Sequence, residues 1–230
     1  VFGEVQLSAS GHPDAVLPLA VYTSGGDLPR EWFIDTDQNS GSREFTLNAE
    51  ITFPDATFTS AGLVVPDRTV NELPQDPTDD DPYDDATGVM KTWYNIPEGT
   101  LLFHTETLPS SAVDLDLFVG FDANGNGVAD ESEELCSSST PTDVERCDLF
   151  APSAGNYWVI VQNWKATNAL DDVTLETAVV TENASARLSA SGNGIIPKNT
   201  SHKIQLSWDN VGALPGSELI GAVGIGTHRD

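Results

Sequence analysis

Basic residues are scarce in this chain of 230 residues, which has 10 Lys and Arg against 36 Asp and Glu. The formal net charge of -26 would repel the phosphates of nucleic acids and the headgroups of anionic lipids. We therefore exclude nucleic-acid binding and expect no membrane partner. Such a surface suits divalent cations, salty water or cationic surfaces; the simpler alternative is that it only keeps the protein soluble.

Long apolar runs are also absent. No stretch approaches the roughly 20 residues that a transmembrane helix needs. The first residues, VFGEVQLSAS, contain neither the charged region nor the hydrophobic region of a signal peptide. We expect that any signal peptide has been removed or lies upstream. The length leaves room for one large or two small domains.

Helical periodicity is almost missing, and short runs of alternating apolar and polar residues take its place. About a dozen such runs are separated by Gly, Pro, Asn and Asp, among them REFTLNAEITF, VDLDLFVGF and NYWVIVQNW. The short segment ADESEEL is the one helical candidate. This pattern predicts an all-β protein built from β-sandwiches or jelly rolls. NYWVIVQNW is apolar on both faces and is predicted to be a central strand.

The segment DANGNGVADESE, which follows VDLDLFVGF, has the spacing of a twelve-residue calcium loop. With Asp122 at the first position, Gly127 falls at the sharp turn. The predicted Ca²⁺ ligands are Asp122, Asn124, Asn126, the Val128 carbonyl, Asp130 and Glu133. Because a strand precedes the loop, we predict a structural clamp and not a helix-loop-helix sensor. The alternative is a solvated turn of Asp, Asn and Gly.

A second acidic run, DPTDDDPYDD at residues 76–85, contains two prolines and shows no apolar period. We predict a surface loop within a longer insertion at residues 71–86. A second, weaker calcium site is the alternative, although no glycine-centred spacing organises these carboxylates.

Cysteine is rare as well, with only Cys136 and Cys147 present. Neither belongs to a CxxC pair and no histidine lies nearby, which argues against zinc. We predict a disulfide in a secreted protein; the alternative is two buried thiols in a cytosolic one. The bridge would begin just after Glu133, so that it and the calcium loop brace one corner of the domain.

The sequence contains no recognisable catalytic constellation. It has no GxSxG nucleophile turn and no HExxH motif, and its carboxylates are too numerous for one pair to stand out. Each histidine is isolated and is interpreted as a surface or satisfied residue. The four histidines are His12, His104, His202 and His228. We therefore predict a non-catalytic chain.

Three segments, DLDLFVG, SAGNYWVIVQNW and DVTLETAVV, resemble strands of the bacterial pre-peptidase C-terminal domain, a small β-sandwich found beside secreted proteases. The marks of that family are an Asp-x-Asp-Leu strand, here residues 114–117, and an Ala-Gly-x-Tyr strand, here residues 154–157. The resemblance covers about residues 50–180 and implies that this range forms a β-sandwich domain, in which the loop spacing predicts the calcium site.

The flanking segments resemble a different fold. Residues 1–49, with Phe2-Gly3 and the apolar run around Pro18, are similar to the last strands of the fibronectin type III-like domain of subtilisin-like serine proteases. Residues 181–230 have a similar pattern. Neither flank is long enough for a whole domain, so either the two pair with each other or the chain is a piece of a longer protease.

These resemblances imply a non-catalytic, calcium-stabilised C-terminal accessory region of a secreted, extracellular bacterial subtilisin-like protease. The implied partners are the catalytic domain of the same precursor and an insoluble protein such as collagen. One alternative is a calcium-dependent carbohydrate-binding or adhesive β-sandwich, in which Trp93, Trp158 and Trp164 stack on the ligand. Another is an enzyme whose motif is not recognised.

Overall fold

The structure of the protein, a computed structural model, describes residues 2–7, 15–20, 31–78, 81–84, 87–182, 187–212 and 216–227. Within these ranges the protein has fifteen strands and one 3₁₀ turn, Glu131–Glu133. The strands are β1 (Phe2–Leu7), β2 (Ala15–Ala20), β3 (Gly41–Asn48), β4 (Ala56–Val64), β5 (Asp67–Leu73), β6 (Val89–Ile96), β7 (Thr100–Leu108), β8 (Asp114–Phe121), β9 (Glu134–Ser138), β10 (Arg146–Phe150), β11 (Gly155–Lys165), β12 (Asp171–Thr181), β13 (Leu188–Ser191), β14 (Ser201–Trp208) and β15 (Ile220–Thr227). The all-β prediction is confirmed.

Two four-stranded antiparallel sheets form the central β-sandwich. One has the strand order β10-β7-β12-β5 and the other has the order β6-β11-β8-β9. Alternate residues of each strand point between the sheets, as the period of two requires. The shared core includes Phe103, Leu115, Leu117, Val119, Tyr157, Val159, Val161, Val173 and Leu175, all of which are buried.

Strand β11 is buried on both of its faces, as its sequence predicts. It lies between β6 and β8. Tyr157 faces the core between the sheets, whereas Trp158 and Ile160 face outward and pack with Ala129 and Tyr83. The outer face of this sheet is therefore covered by two loop segments, and both are rich in acidic residues.

Strands from before the sandwich pair beside it with strands from after it. Strand β3 pairs with β14, which in turn pairs with β13, and β4 pairs with β15. The apolar cluster here includes Leu47 of β3 and Ile204 of β14, together with Phe53 and Ile196, which pair as an isolated β-bridge outside the strands. Strand β4 belongs by sequence to the range 50–180, yet its partner β15 comes from the range 181–230. Strands β1 and β2 pair with each other.

Three strands were not expected from the sequence: β5, β9 and β10. Each lies at the edge of a sheet in the sandwich. An edge strand is partly solvated and can be short and polar, so it lacks the apolar alternation by which strands are recognised. In β5, for example, every residue before the last is exposed.

No helix in the described residues is long and apolar enough to cross a bilayer.

Candidate functional site

The predicted calcium loop begins directly after β8 and ends in the 3₁₀ turn before β9. The Asp122 amide donates to the Asn156 carbonyl at 2.9 Å, which ties the start of the loop to the beginning of the neighbouring strand β11. Gly125 and Gly127 have φ values of 71° and 70°. Glycine adopts this left-handed backbone at no steric cost, which suits both residues to the turns of the loop.

The first half of the loop is organised by side-chain oxygens that accept hydrogen bonds from backbone amides. The two carboxylate oxygens of Asp122 accept from the amides of Asn126 and Gly127 at 3.0 and 3.1 Å. The Asn124 side chain accepts from the Asn126 amide at 2.9 Å, and the Asn126 side chain accepts from the Val128 amide at 2.8 Å. Successive Asx turns of this kind bring alternate side chains toward the inside of the loop.

The second half closes the loop through Asp130 and Glu133. Asp130 caps the 3₁₀ turn by accepting from the Ser132 amide at 2.8 Å, and hydrogen bonds from Ser132 lower the pKa of Asp130. Glu133 Oε1 accepts from the amides of Ala123 and Asn124 at 3.1 and 3.3 Å. The last ligand position is thus folded back onto the beginning of the loop, as a twelve-residue calcium loop requires.

Glu133 also carries an oxygen that the described residues do not satisfy. The residue is only 7% exposed, and its Oε2 atom is buried with no hydrogen-bond partner among the described residues. A buried carboxylate oxygen without a partner is costly, and a cation bound beside it would remove that cost. This atom lies in the loop whose spacing predicts Ca²⁺, so the residues present fit the ion.

The loop is nevertheless not a preformed carboxylate cluster. Within the described ranges, no three His, Cys, Asp or Glu side chains converge as the ligands of a metal ion would. The predicted donor set mixes three carboxylates with two Asn side chains and the Val128 carbonyl. Carboxylates alone therefore do not define the site.

The disulfide prediction is confirmed. Cys136 and Cys147 are joined, with their Cα atoms 6.0 Å apart. Cys136 lies on β9 and Cys147 on β10, which belong to different sheets of the sandwich. The bond therefore crosslinks the two sheets, and it does so three residues after Glu133.

The acidic run at 76–85 differs from the surface loop that its composition predicts, at least where the structure describes it. Asp76 is 1% exposed, and its carboxylate accepts from Gln162 Nε2 at 2.6 Å and from the Thr78 amide at 3.0 Å. The Asp76 amide donates to the Asn163 carbonyl at 2.9 Å. The beginning of the run is thus anchored in the sandwich.

Tyr83, the one aromatic residue of this run, lies against the outer face of the sheet. Its hydroxyl donates to Glu134 Oε2 at 2.5 Å, and its ring meets Trp158 edge-on at a centroid distance of 5.7 Å. Burial is the main cause that raises the pKa of Tyr83 well above its usual range, and the hydrogen bond to Glu134 raises it further. Sequence reasoning missed this contact; a lone aromatic residue in an acidic run was the available signal.

A cavity of about 450 Å³ opens between this run and the calcium loop. Its walls are formed by Asp81, Pro82, Tyr83, Asp116, Phe118, Glu131, Glu134 and Gln162. Burial, together with the nearby charges of Asp114 and Glu145, raises the pKa of Asp116 to about 6. The cavity is therefore acidic, with two aromatic side chains among its walls.

His104 is the one described histidine that lies deep in the protein. Its Nδ1 atom is 2.8 Å from Asp148 Oδ1, while its Nε2 atom lies 3.6 Å from Glu106 and 4.0 Å from Glu176. Nε2 has no hydrogen-bond partner among the described residues, so no hydroxyl or thiol is positioned there as a nucleophile. The other histidines are His202, which contacts Thr200 and Asn193, and His12 and His228, which lie outside the described residues.

The three tryptophans proposed as a ligand-stacking set do not form one surface. Trp158 is 0% exposed, whereas Trp93 is 42% and Trp164 is 39% exposed. Trp93 pairs with Trp158 in the sheet, and Trp164 lies six residues further along the same strand as Trp158. At about 3.3 Å per residue, a separation of six residues places the positions of the two exposed tryptophans roughly 20 Å apart along the strand direction.

Comparison with known proteins adds no family. The chain matches no family model and no curated protein.

Proposed function

We propose that this chain is a non-catalytic, calcium-stabilised accessory region of a secreted subtilisin-like serine protease. The observation that carries the calcium part is the buried Glu133 Oε2, which has no hydrogen-bond partner in the described part of the chain and lies in a loop with the complete ligand spacing. The proposed ligands are Asp122, Asn124, Asn126, the Val128 carbonyl, Asp130 and Glu133.

The ion would supply positive charge and oxygen coordination at the corner where β8 passes into β9. The protein's own residues hold the loop in its folded conformation. Asp122 and the two Asn side chains already hold the first half of the loop, and Glu133 holds its end. Because the loop closes three residues before Cys136, a fixed loop also fixes the strand that carries the inter-sheet disulfide. A corner braced in this way resists local unfolding, where proteases attack.

The disulfide supports the extracellular part of the proposal. Stable structural disulfides are typical of oxidising compartments and rare in the cytosol. Here the bond joins the two sheets of the sandwich, so it has a structural role. An acidic chain stabilised by Ca²⁺ and a disulfide suits a protease-rich medium.

The surroundings of His104 support the non-catalytic part. A Ser-His-Asp or Cys-His enzyme needs a nucleophile within hydrogen-bond reach of the histidine. The Nε2 side of His104 faces Glu106 and Glu176 instead, and the ring is 2% exposed. This His–Asp pair is therefore suited to holding strands β7 and β10 together.

The carbohydrate-binding alternative has weaker support. Its stacking surface would need neighbouring exposed aromatic rings. Because Trp158 is buried, only Trp93 and Trp164 of this set are exposed. Trp93 lies on β6 beside the first part of β11, whereas Trp164 lies near the end of β11.

Thermal unfolding tests the calcium part, and deletion from the parent enzyme tests the accessory part. Excess chelator should lower the melting temperature, because an ion that binds only the folded state stabilises it by mass action. Deleting the region should leave small-peptide cleavage within a few-fold of normal while reducing either activity on insoluble protein or survival at high temperature in low calcium. An unchanged melting curve contradicts the calcium role. Loss of small-peptide cleavage in folded enzyme contradicts the accessory role.

A further inference from the structure

The calcium loop touches a second acidic segment, which we name the Tyr83 turn and define as residues 81–84. The turn is folded on itself, because the Tyr83 amide donates to Asp81 Oδ1 at 3.0 Å. It is attached to β6 through Lys91, whose Nζ donates to the carbonyls of Tyr83 and Asp84 at 2.6 and 2.5 Å. The turn is thus held in place by its internal hydrogen bond and by Lys91 of β6.

A hydrogen bond links the turn to the end of the calcium loop. The Tyr83 hydroxyl donates to Glu134 Oε2, and Glu134 is the next residue after the last predicted ligand, Glu133. Glu134 also ends the 3₁₀ turn, since its amide donates to the Glu131 carbonyl. A change in the position of Glu133 would therefore move the acceptor of the Tyr83 hydrogen bond.

An apolar contact joins the same two segments independently. Ala129, at the eighth position of the loop, is 6% exposed and belongs to one small apolar cluster with Trp158 and Ile160. Tyr83 packs on that cluster from the other side, edge-on to Trp158 and tilted against Phe118 at 6.2 Å. The loop and the turn thus share one patch of the outer face of the sheet.

Like charges oppose this arrangement. Asp81 of the turn, Glu131 of the loop and Glu134 just after it line the same cavity, together with Asp116. Carboxylates that share a partly buried site repel one another. A divalent cation at the loop would weaken that repulsion where the turn packs.

We propose that calcium binding at the loop and packing of the Tyr83 turn on Trp158 stabilise each other, with Tyr83 acting as a positioning residue for the calcium site. This inference rests on the proposed calcium site. Because linkage is reciprocal, a variant that loosens the turn weakens calcium binding by the same factor by which calcium stabilises the turn.

Calcium titration calorimetry on the full chain tests the coupling. Tyr83→Ala should raise the Kd about tenfold, within the usual range of coupling between two sites. Tyr83→Phe keeps the ring and loses the hydrogen bond, so it should raise the Kd only about threefold. Tyr94→Phe is the matched control, because Tyr94 packs on the opposite face of the same sheet. It should leave the Kd unchanged.

Amide exchange on the wild-type protein gives a readout that needs no variant. Calcium should slow exchange at Tyr83, whose amide bonds within the turn, more than at Val113, whose amide bonds to the Lys165 carbonyl away from the loop. If wild-type protein binds calcium while folded Tyr83→Ala binds it equally well, the coupling is wrong and the calcium site stands. If wild-type protein binds no calcium, both are wrong. If Tyr83→Ala fails to fold, Tyr83→Phe and the exchange rates decide, and exchange at Tyr83 that ignores calcium contradicts the coupling.

Discussion

The two acidic segments at 76–85 and 122–133 use their carboxylates in different ways. In the first, Asp76 is satisfied by Gln162 and Thr78. In the second, the side-chain oxygens arrange the backbone of the loop, and the buried Glu133 Oε2 has no partner within the ranges that the structure describes. The first segment is the more acidic of the two, yet the buried oxygen with no partner among the described residues belongs to the second.

This difference shows why spacing carries more information than charge. Alternate Asp and Asn residues around a glycine form successive Asx turns that aim their oxygens inward. The run DPTDDDPYDD has neither feature, and its described carboxylates bond to protein groups instead. We therefore expect substitutions in the two segments to separate calcium affinity from calcium-independent stability.

The largest expected effect comes from removing the disulfide, which follows the segment 122–133 and has no counterpart after the first segment. Replacing both cysteines, Cys136→Ser with Cys147→Ser, should lower the free energy of unfolding by about 3 kcal/mol, because the crosslink restricts the unfolded chain. Urea unfolding of both proteins measures the change. A loss below about 0.5 kcal/mol would show that the core holds the two sheets together without the bond.

Asp122→Asn should weaken calcium binding roughly 100-fold, since it removes a ligand charge from the loop. Asp76→Asn is the matched change in the other segment and should leave the Kd within twofold of the wild-type value. Titration calorimetry measures both constants. Equal losses in the two variants would break the distinction between the segments.

Asp76→Asn should instead lower the free energy of unfolding by about 2 kcal/mol, because an amide NH₂ would face the donor Gln162 Nε2 in a buried position. The loss should be the same in calcium and in chelator. Urea unfolding in the two buffers checks this, and a loss seen only in calcium would assign Asp76 to the metal site.

The smallest effect concerns pH. The pKa of Asp116 is raised from 3.8 to about 6 in the folded protein, so the folded state binds its proton more tightly than the unfolded state does. Stability from this group is therefore present at low pH and lost as pH rises through about 4 to 6. Asp116→Asn should stabilise the protein by about 1 kcal/mol at pH 8, a value reduced for solvent screening, and by much less at pH 4.

Urea unfolding at pH 8 and pH 4 measures that gain, with exposed Asp172→Asn as the control. The Asp172 variant should be neutral at both values. A gain for Asp116→Asn that is equal at pH 4 and pH 8 would mean that the carboxylate charge is not its cause.

Local features of the sequence predicted much of this structure. Alternation predicted the all-β class, the two-faced apolar run predicted the central position of β11, and the cysteine pair predicted the disulfide. Three edge strands were not predicted because they are polar and partly solvated. The contact between Tyr83 and Glu134 was not predicted because the residues are 51 positions apart, and only the pairing of the intervening strands brings them together.

The most direct test of the account is a calcium titration of wild-type protein, Glu133→Gln and Glu131→Gln. The two variants carry the same chemical change two residues apart, but only Glu133 has the buried, unpartnered oxygen, whereas Glu131 is exposed. The account predicts one ion bound per wild-type chain, an affinity near the wild-type value for Glu131→Gln, and a loss of roughly 100-fold for Glu133→Gln. No binding to wild-type protein, or equal affinities for the two variants, would contradict it.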